Sequence, residues 1–293
     1  MDALVRLLNA LIMLGLPLLV AAALVRKHKL SWRLFFYGAI AFAVSQILEI
    51  PFNRYLLQPL VEMINGQSLA EASNLGLGGV LFALSAGVFE ESSRAIVYWV
   101  SLREYKRWKD AVFYGVGHGG LEAIFLGGIA FYAFFQATAY RNTDLNNLVP
   151  PEQLQLARAQ LDLYWSLPWY AALLGALERI FAMLIQVTLA VMVLQAFVRK
   201  KAHWFFLAIG WHTLVDAVVV IGIQTWDIYF VEFLIGLMAL LSLAILWRLR
   251  SESDLPHASV EVDDVEETRT GLARRKRPYS LDQIERSRYD QNG

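Results

Sequence analysis

Long apolar segments constrain the fold of this chain more than any other feature. A membrane-spanning helix needs about 20 mostly apolar residues, and about seven windows meet this requirement: 4–25, 34–52, 78–102, 111–138, 168–198, 203–223 and 228–247. Only 18% of the 293 residues are charged, whereas soluble domains carry about 25%. The sequence therefore predicts an all-α polytopic membrane protein, a bundle of about seven transmembrane helices, with one domain over residues 1–250.

The distribution of lysine and arginine predicts how the bundle is oriented. Such residues concentrate in the short loops on the cytoplasmic side of a membrane. Here they follow the first, third, fifth and last windows: Arg26, Lys27, Lys29, Arg33, Arg103, Lys106, Arg107, Lys109, Arg199, Lys200, Lys201, Arg248 and Arg250. We therefore expect the N-terminus outside and the C-terminus in the cytoplasm. The first window lacks the basic start and cleavage site of a signal peptide, so we expect it to be retained.

Two polar segments lie outside the windows. The outer loop, 139–167, contains Pro150 and Pro151 followed by an amphipathic stretch. This stretch predicts a short helix that lies on the membrane surface, covers the bundle as a lid, or is a simple connector. The segment 251–293 is acidic and then basic, and we expect it to be a mostly disordered cytoplasmic tail.

Composition excludes several kinds of site. The chain has no cysteine, which excludes disulfides, thiolate metal sites and cysteine nucleophiles. Its formal net charge is zero, which argues against a nucleic-acid partner bound through a general basic surface. The expected partners are the lipid bilayer and whatever substrate the protein acts on, and the sequence leaves the oligomeric state open.

Three groups of ionisable residues lie inside the apolar windows. A charged side chain at the centre of a bilayer costs at least ~2.5–3.5 kcal/mol, so such residues usually mark a functional site. Within each group, residues three or four positions apart lie on one helix face. Counted from the cytoplasmic ends at 1.5 Å per residue, the groups converge at depths of ~12–18 Å. We therefore expect one site formed by Glu90, Glu91, Arg94, His118, Glu122, His212 and Asp216.

The spacing also suggests individual roles. Glu90 and Glu91 point about 100° apart on a helix, so one can pair with Arg94 while the other faces a cavity as a general base. The sequence does not decide which is the base, and an Arg–Glu packing clamp is the structural alternative. Asp216 is placed to orient His212.

Other residues in the windows either accompany the predicted site or lie at the ends of the windows. Glycines on both sides of His118 allow a neighbouring helix to approach closely. The fifth window adds Glu178 and Arg179 as a supporting pair, functional or structural. Glu49 and Glu232 lie near the outer ends of their windows, and we expect them to be interfacial.

Taken in order, these motifs resemble those of the glutamate-type intramembrane proteases, a clan of CAAX-processing, bacteriocin-processing and PrsW-like enzymes. The matching residues are Glu90-Glu91-Ser92-Ser93-Arg94, then Tyr114 to His118, then His212 to Asp216. The stretch Gly-His-Gly-Gly-x-Glu-Ala and the Glu178-Arg179 pair resemble most closely the YhfC-like branch, which is described as intramembrane metalloproteases. The resemblance covers roughly 78–223.

Two departures accompany this resemblance. Tyr114 stands where phenylalanine is usual, and Asp216 stands where the prenyl-protein proteases carry asparagine. The additional carboxylates of Asp216 and Glu122 make metal binding easier than in those relatives. The chain has no His-Glu-x-x-His zinc motif.

The resemblance implies hydrolysis of a peptide bond in a membrane-associated peptide or protein, in a multi-pass protein of the cytoplasmic membrane. Glu90, helped by His118, would deprotonate a water molecule, and Glu91 would be held by Arg94. His212 would stabilise the oxyanion or protonate the leaving amine. No cofactor is certain. In the alternative form, His118, His212 and a carboxylate hold Zn²⁺.

Two other classes of function are compatible with intramembrane glutamate, histidine and aspartate. A transporter or proton-coupled carrier uses such residues as a proton relay, although the sequence shows no inverted repeat. A non-catalytic membrane scaffold would retain them for structure. The sequence does not identify the substrate or its cleavage site.

Overall fold

The structure, a computed structural model, describes residues 2–65 and 75–250. Over these ranges the chain forms nine α-helices and no strand, which confirms the all-α prediction. The helices are α1 (Asp2–His28), α2 (Trp32–Phe52), α3 (Gln58–Asn65), α4 (Leu75–Val100), α5 (Trp108–Tyr140), α6 (Pro151–Ser166), α7 (Leu174–Val198), α8 (His203–Thr225) and α9 (Ile228–Arg248). The predicted disordered tail, 251–293, lies outside the described residues.

Six helical segments of the described chain are long and apolar enough to cross a membrane. They are Asp2–His28, Trp32–Ile64, Trp108–Tyr140, Ala171–Val198, His203–Thr225 and Ile228–Arg248. The remaining predicted window, 78–102, coincides with α4, which has 26 residues. At 1.5 Å per residue α4 is ~39 Å long and exceeds the ~30 Å hydrocarbon core. The orientation stays a prediction.

The outer surface of the bundle is apolar and its centre is α7. Leu19, Leu240 and Trp247 are 70%, 64% and 74% exposed, as expected for side chains that face lipid rather than water. Residues 185–195 of α7 are all buried. Helix α7 packs against α4, α5, α8 and α9, and α4 packs against α2 and α8. The helices that carry the predicted polar groups are therefore close neighbours.

Glycine residues allow α5 to pack closely on two sides. A Cβ atom at Gly117 would lie 2.0 Å from the backbone oxygen of Phe35 in α2. One at Gly115 would lie 2.7 Å from the Cα atom of Val187 in α7. The backbones thus approach directly, as the glycines around His118 predicted. This packing holds the His118 ring inside the bundle, 5.4 Å from the ring of Phe42 between centroids.

The outer loop forms the predicted helix, α6, which is bound to the ends of α1 and α5. The indole Nε1 of Trp165 donates a hydrogen bond to the Ala137 carbonyl at 3.3 Å. The Arg6 guanidinium donates to the Leu167 carbonyl at 2.8 Å, and the Arg141 guanidinium lies 4.1 Å from the centre of the Trp165 ring. Helix α6 has no buried residue, so it lies on the outside of the bundle.

Candidate active site

Arg94 organises the centre of the candidate site. Its side chain is fully buried, and each guanidinium nitrogen has a partner. Nη1 donates to Glu91 Oε1 at 2.5 Å, and Nη2 donates to Glu90 Oε2 at 3.5 Å and to Gln186 Oε1. Nε donates to Nδ1 of His118 at 3.4 Å. Because burying a charge is expensive without such partners, these contacts hold together residues from α4, α5 and α7.

Glu90 receives hydrogen bonds from several helices. Its Oε2 atom lies 2.9 Å from Nε2 of His118 on α5 and 3.2 Å from Nε2 of Gln186 on α7. Its Oε1 atom accepts from Nε2 of Gln46 on α2 at 3.2 Å. Together with the Arg94 contact, these donors give both carboxylate oxygens of Glu90 hydrogen-bond partners.

His212 of α8 faces carboxylates on both sides of its ring. Nδ1 lies 2.7 Å from Glu91 Oε1, and Nε2 lies 3.3 Å from Asp216 Oδ2 and 3.8 Å from Glu90 Oε2. Because Glu91 Oε1 also accepts from Arg94, it is an ionised acceptor, and the hydrogen of this contact belongs to Nδ1. The structure thus brings the predicted His212–Asp216 pair together and joins it to the α4 carboxylates.

Glu122 occupies the same helix face as His118, but its hydrogen bonds run to α7. Oε1 accepts from Arg179 Nη1 at 2.6 Å, and Oε2 accepts from Gln186 Nε2 at 2.9 Å. Arg179 also donates to Glu178. The supporting pair Glu178–Arg179 is therefore connected through Glu122 and Gln186 to Glu90.

A cavity of about 270 Å³ adjoins the cluster. Its polar lining is Glu49, Asn53, Glu122, Glu178, Arg179, Gln186, His212 and Asp216, and the remaining lining is apolar. Glu91, Arg94 and His118 have no exposed surface, so His212 and Asp216 present the cluster to the cavity. A concave site with convergent polar groups beside apolar walls is typical of a ligand site.

The sequence interpretation missed three amide residues of this site. Gln46 and Gln186 donate to Glu90, and Asn53 donates to Glu49 Oε1 at 3.1 Å. Asn53 begins a π-helical turn that joins α2 to α3, a distortion that is frequent at functional sites. The spacing of Gln46, Glu49 and Asn53 at i, i+3 and i+7 on an apolar helix was the available signal.

Two predicted interfacial residues are buried instead. Glu49 is 8% exposed and lines the cavity. The helix that begins with α2 continues to α3 instead of ending near Phe52, so Glu49 lies well inside it. Glu232 is 7% exposed, and within the described part of the chain its Oε2 atom has no hydrogen-bond partner. Both side chains are therefore buried in the bundle, and their depth in the membrane stays a prediction.

The described residues contain no group of three histidine, aspartate or glutamate side chains assembled as a metal site. At the wall of the cavity, His212 Nε2 and Asp216 Oδ2 lie 3.3 Å apart. Two donors on a tetrahedral zinc, with bonds of about 2.0–2.2 Å, are separated by roughly this distance. The donor chemistry therefore fits a metal at this pair, with Glu49 lining the same cavity.

Comparison with known proteins identifies the family. A family model described as YhfC intramembrane metalloprotease matches residues 12–235, a span that contains every residue of the candidate site. The chain belongs to the YhfC intramembrane metalloprotease family. It is 31% identical over 201 residues to "Uncharacterized membrane protein YhfC" of Bacillus subtilis (strain 168). The matched region covers 64% of this chain and 72% of that protein. No solved structure matches the chain.

Membership of the YhfC family confirms the closest resemblance seen in the sequence. It establishes a membrane protein with several apolar helices, and the family description supports a membrane protease rather than a carrier or a scaffold. The likeness to the wider clan, and the roles of individual residues, stay predictions.

Proposed function

We propose that this chain is an intramembrane peptidase that hydrolyses a peptide bond of a membrane-associated substrate, as a multi-pass protein of the cytoplasmic membrane. One observation carries the proposal: Arg94 holds Glu91, Glu91 holds His212, and His212 presents Nε2 beside Asp216 at the wall of a cavity. A fixed imidazole next to carboxylates, inside an otherwise apolar bundle, is a hydrolytic arrangement.

The contacts favour Glu90 over Glu91 as the general base. Glu91 has no exposed surface, and both Arg94 and His212 bind its Oε1 atom, so it orients the histidine. Glu90 Oε2 lies 3.8 Å from the cavity-facing Nε2 of His212. As water attacks the scissile carbonyl, Glu90 takes a proton from it and passes this proton to the leaving amine. His118 holds Glu90 through the 2.9 Å contact.

A metal fits the cavity side of this cluster. His212 and Asp216, with Glu49 from the same lining, offer imidazole and carboxylate donors of the kind that Zn²⁺ binds. A zinc ion bound there would lower the pKa of a bound water and polarise a carbonyl group. The chain's contribution is the orientation of His212, since Glu91 accepts the hydrogen of Nδ1 and leaves Nε2 directed at Asp216.

The test is cleavage of defined membrane peptides. The full chain is reconstituted in liposomes with a library of synthetic transmembrane peptides, and new termini are identified by mass spectrometry. Glu90→Gln removes the base while keeping hydrogen-bonding capacity, and we expect at least about 100-fold slower cleavage because general-base catalysis contributes 10²–10⁴-fold. Glu152→Gln, on the exposed face of α6, is the matched control. Equal cleavage by wild type and Glu90→Gln would refute the assignment of Glu90 as the base. If wild type cleaved none of the peptides, the proposed peptidase activity would be refuted.

A further inference from the structure

We propose that the two buried histidines have opposite functions at this site: His212 binds the metal, and His118 is a hydrogen-bond donor that positions Glu90 and does not bind the metal. This inference rests on the proposed function and assigns the ligands of the same site. It differs from the sequence-based alternative, in which His118 and His212 together hold zinc.

Both nitrogens of His118 are committed to groups other than a metal. Nδ1 faces Nε of Arg94 at 3.4 Å. Since the guanidinium is always protonated, Nδ1 is the acceptor in this contact. The hydrogen of the ring then lies on Nε2, which donates to Glu90 Oε2 at 2.9 Å.

Metal binding at His118 would disrupt these contacts. If Nε2 gave its lone pair to a cation, the ring hydrogen would move to Nδ1. The hydrogen on Nδ1 would then point at the Nε–H of Arg94. Two buried donors would face each other, and neither would have an acceptor. Such an arrangement is costly in a site without solvent. The guanidinium is also a fixed positive charge beside the ring and disfavours a cation there.

His212 has the complementary arrangement. Nδ1 donates to Glu91 Oε1 at 2.7 Å, and Arg94 anchors the same oxygen. Metal-binding histidines usually donate their second ring N–H to a carboxylate in this way, which fixes the tautomer and directs the other nitrogen to the metal. Nε2 of His212 faces Asp216 Oδ2 at 3.3 Å.

The two histidines also differ in their access to the cavity, and this difference supports the same assignment. His212 and Asp216 line the cavity, where an ion and a water molecule can enter. His118 has no exposed surface and lies behind Glu90, between the glycine-mediated contacts of α5 with α2 and α7. Hydrogen bonding, charge and access therefore lead to the same assignment.

The experiment counts imidazole ligands directly. The purified full chain in nanodiscs is loaded with Zn²⁺ and dialysed, zinc is measured by elemental analysis, and X-ray absorption at the zinc edge gives the number of histidines per metal. We expect one imidazole in wild type. His118→Gln keeps an N–H donor for Glu90, so its zinc affinity should change by less than about 10-fold. A change of about 10-fold is the smallest that is typical when a metal ligand loses its hydrogen-bond partner. His212→Gln should bind at least roughly 100-fold more weakly. His203→Gln, at the exposed start of α8, is the matched control.

The role of His118 as a positioning residue has its own readout. His118→Leu should retain zinc and lose kcat, and His118→Gln should recover part of that kcat, which a purely structural role would not produce. Two imidazoles in wild type, or loss of zinc from His118→Gln, would overturn the inference. A wild-type protein that binds no zinc would overturn it as well. Peptide cleavage by the same preparation decides the proposed function separately.

Discussion

Replacing Arg94 by methionine measures how strongly the buried charge cluster depends on its single guanidinium. The side chain is fully buried and contacts two carboxylates, Glu91 at 2.5 Å and Glu90 at 3.5 Å. Breaking a buried ion pair on one side costs about 3–5 kcal/mol because the remaining charge stays desolvated. We expect the free energy of unfolding of Arg94→Met to fall by this amount, measured by equilibrium unfolding in mixed detergent micelles.

The second half of this prediction concerns non-additivity. Glu91→Gln removes the uncompensated charge and keeps an acceptor for His212, so the double variant Arg94→Met/Glu91→Gln should be destabilised by at least about 2 kcal/mol less than the sum of the single variants. Arg54→Met is the control, since Arg54 is exposed and donates to the Gln58 side chain at 3.3 Å, and its replacement should cost at most about 1 kcal/mol. Additive effects within about 0.5 kcal/mol would show that Arg94 and Glu91 do not stabilise each other, and would refute the reasoning.

Two further predictions concern the packing around the site. Gly117→Ala should lower the free energy of unfolding by about 1–3 kcal/mol through overpacking, because its Cβ would lie 2.0 Å from the Phe35 backbone oxygen. Gly128→Ala, with open space around the new atom, should be neutral or stabilising in the same unfolding assay; equal losses would contradict the close contact. Trp165→Phe removes the hydrogen bond to the Ala137 carbonyl, so limited proteolysis within α6 should become faster while the bundle unfolds as before. Unchanged proteolysis would show that this bond does not retain α6.

Features that depend on one helix at a time were predictable from the sequence. The α4 cluster follows from i, i+3 and i, i+4 spacing, because residues on one helix meet whatever the tertiary fold is. Arg94 contacts Glu90 and Glu91 in this way, and His212 contacts Asp216. The close approach of helices at Gly117 was also predictable, since only glycine leaves that space.

The particular residue pairs that meet between helices were not predictable, because they depend on the rotation of each helix about its axis. Glu122 hydrogen-bonds to Arg179 and Gln186, 57 and 64 residues further along the chain, and spacing along one helix contains no information on such distances. Gln186 lacks a charge and so gives no signal in an apolar window. The position of Glu49 in the cavity lining was not predicted because the second window was ended near Phe52, whereas the helix continues through Asn53–Leu57.

The pairing of charges within α4 has a consequence for how this protein is made. Helix α4 carries two carboxylates, Glu90 and Glu91, and one guanidinium, Arg94. Inserting each charge separately would cost ~2.5–3.5 kcal/mol at the bilayer centre. Glu91 and Arg94, however, can pair as soon as one turn of α4 has formed. The segment then enters the translocon exit with one uncompensated carboxylate, Glu90, instead of three charges. The donors for that carboxylate, Gln46 on α2 and His118 on α5, are synthesised 44 residues before it and 28 residues after it. The order of residues along the chain thereby supplies partners for each charge during biogenesis, when the finished bundle does not yet exist.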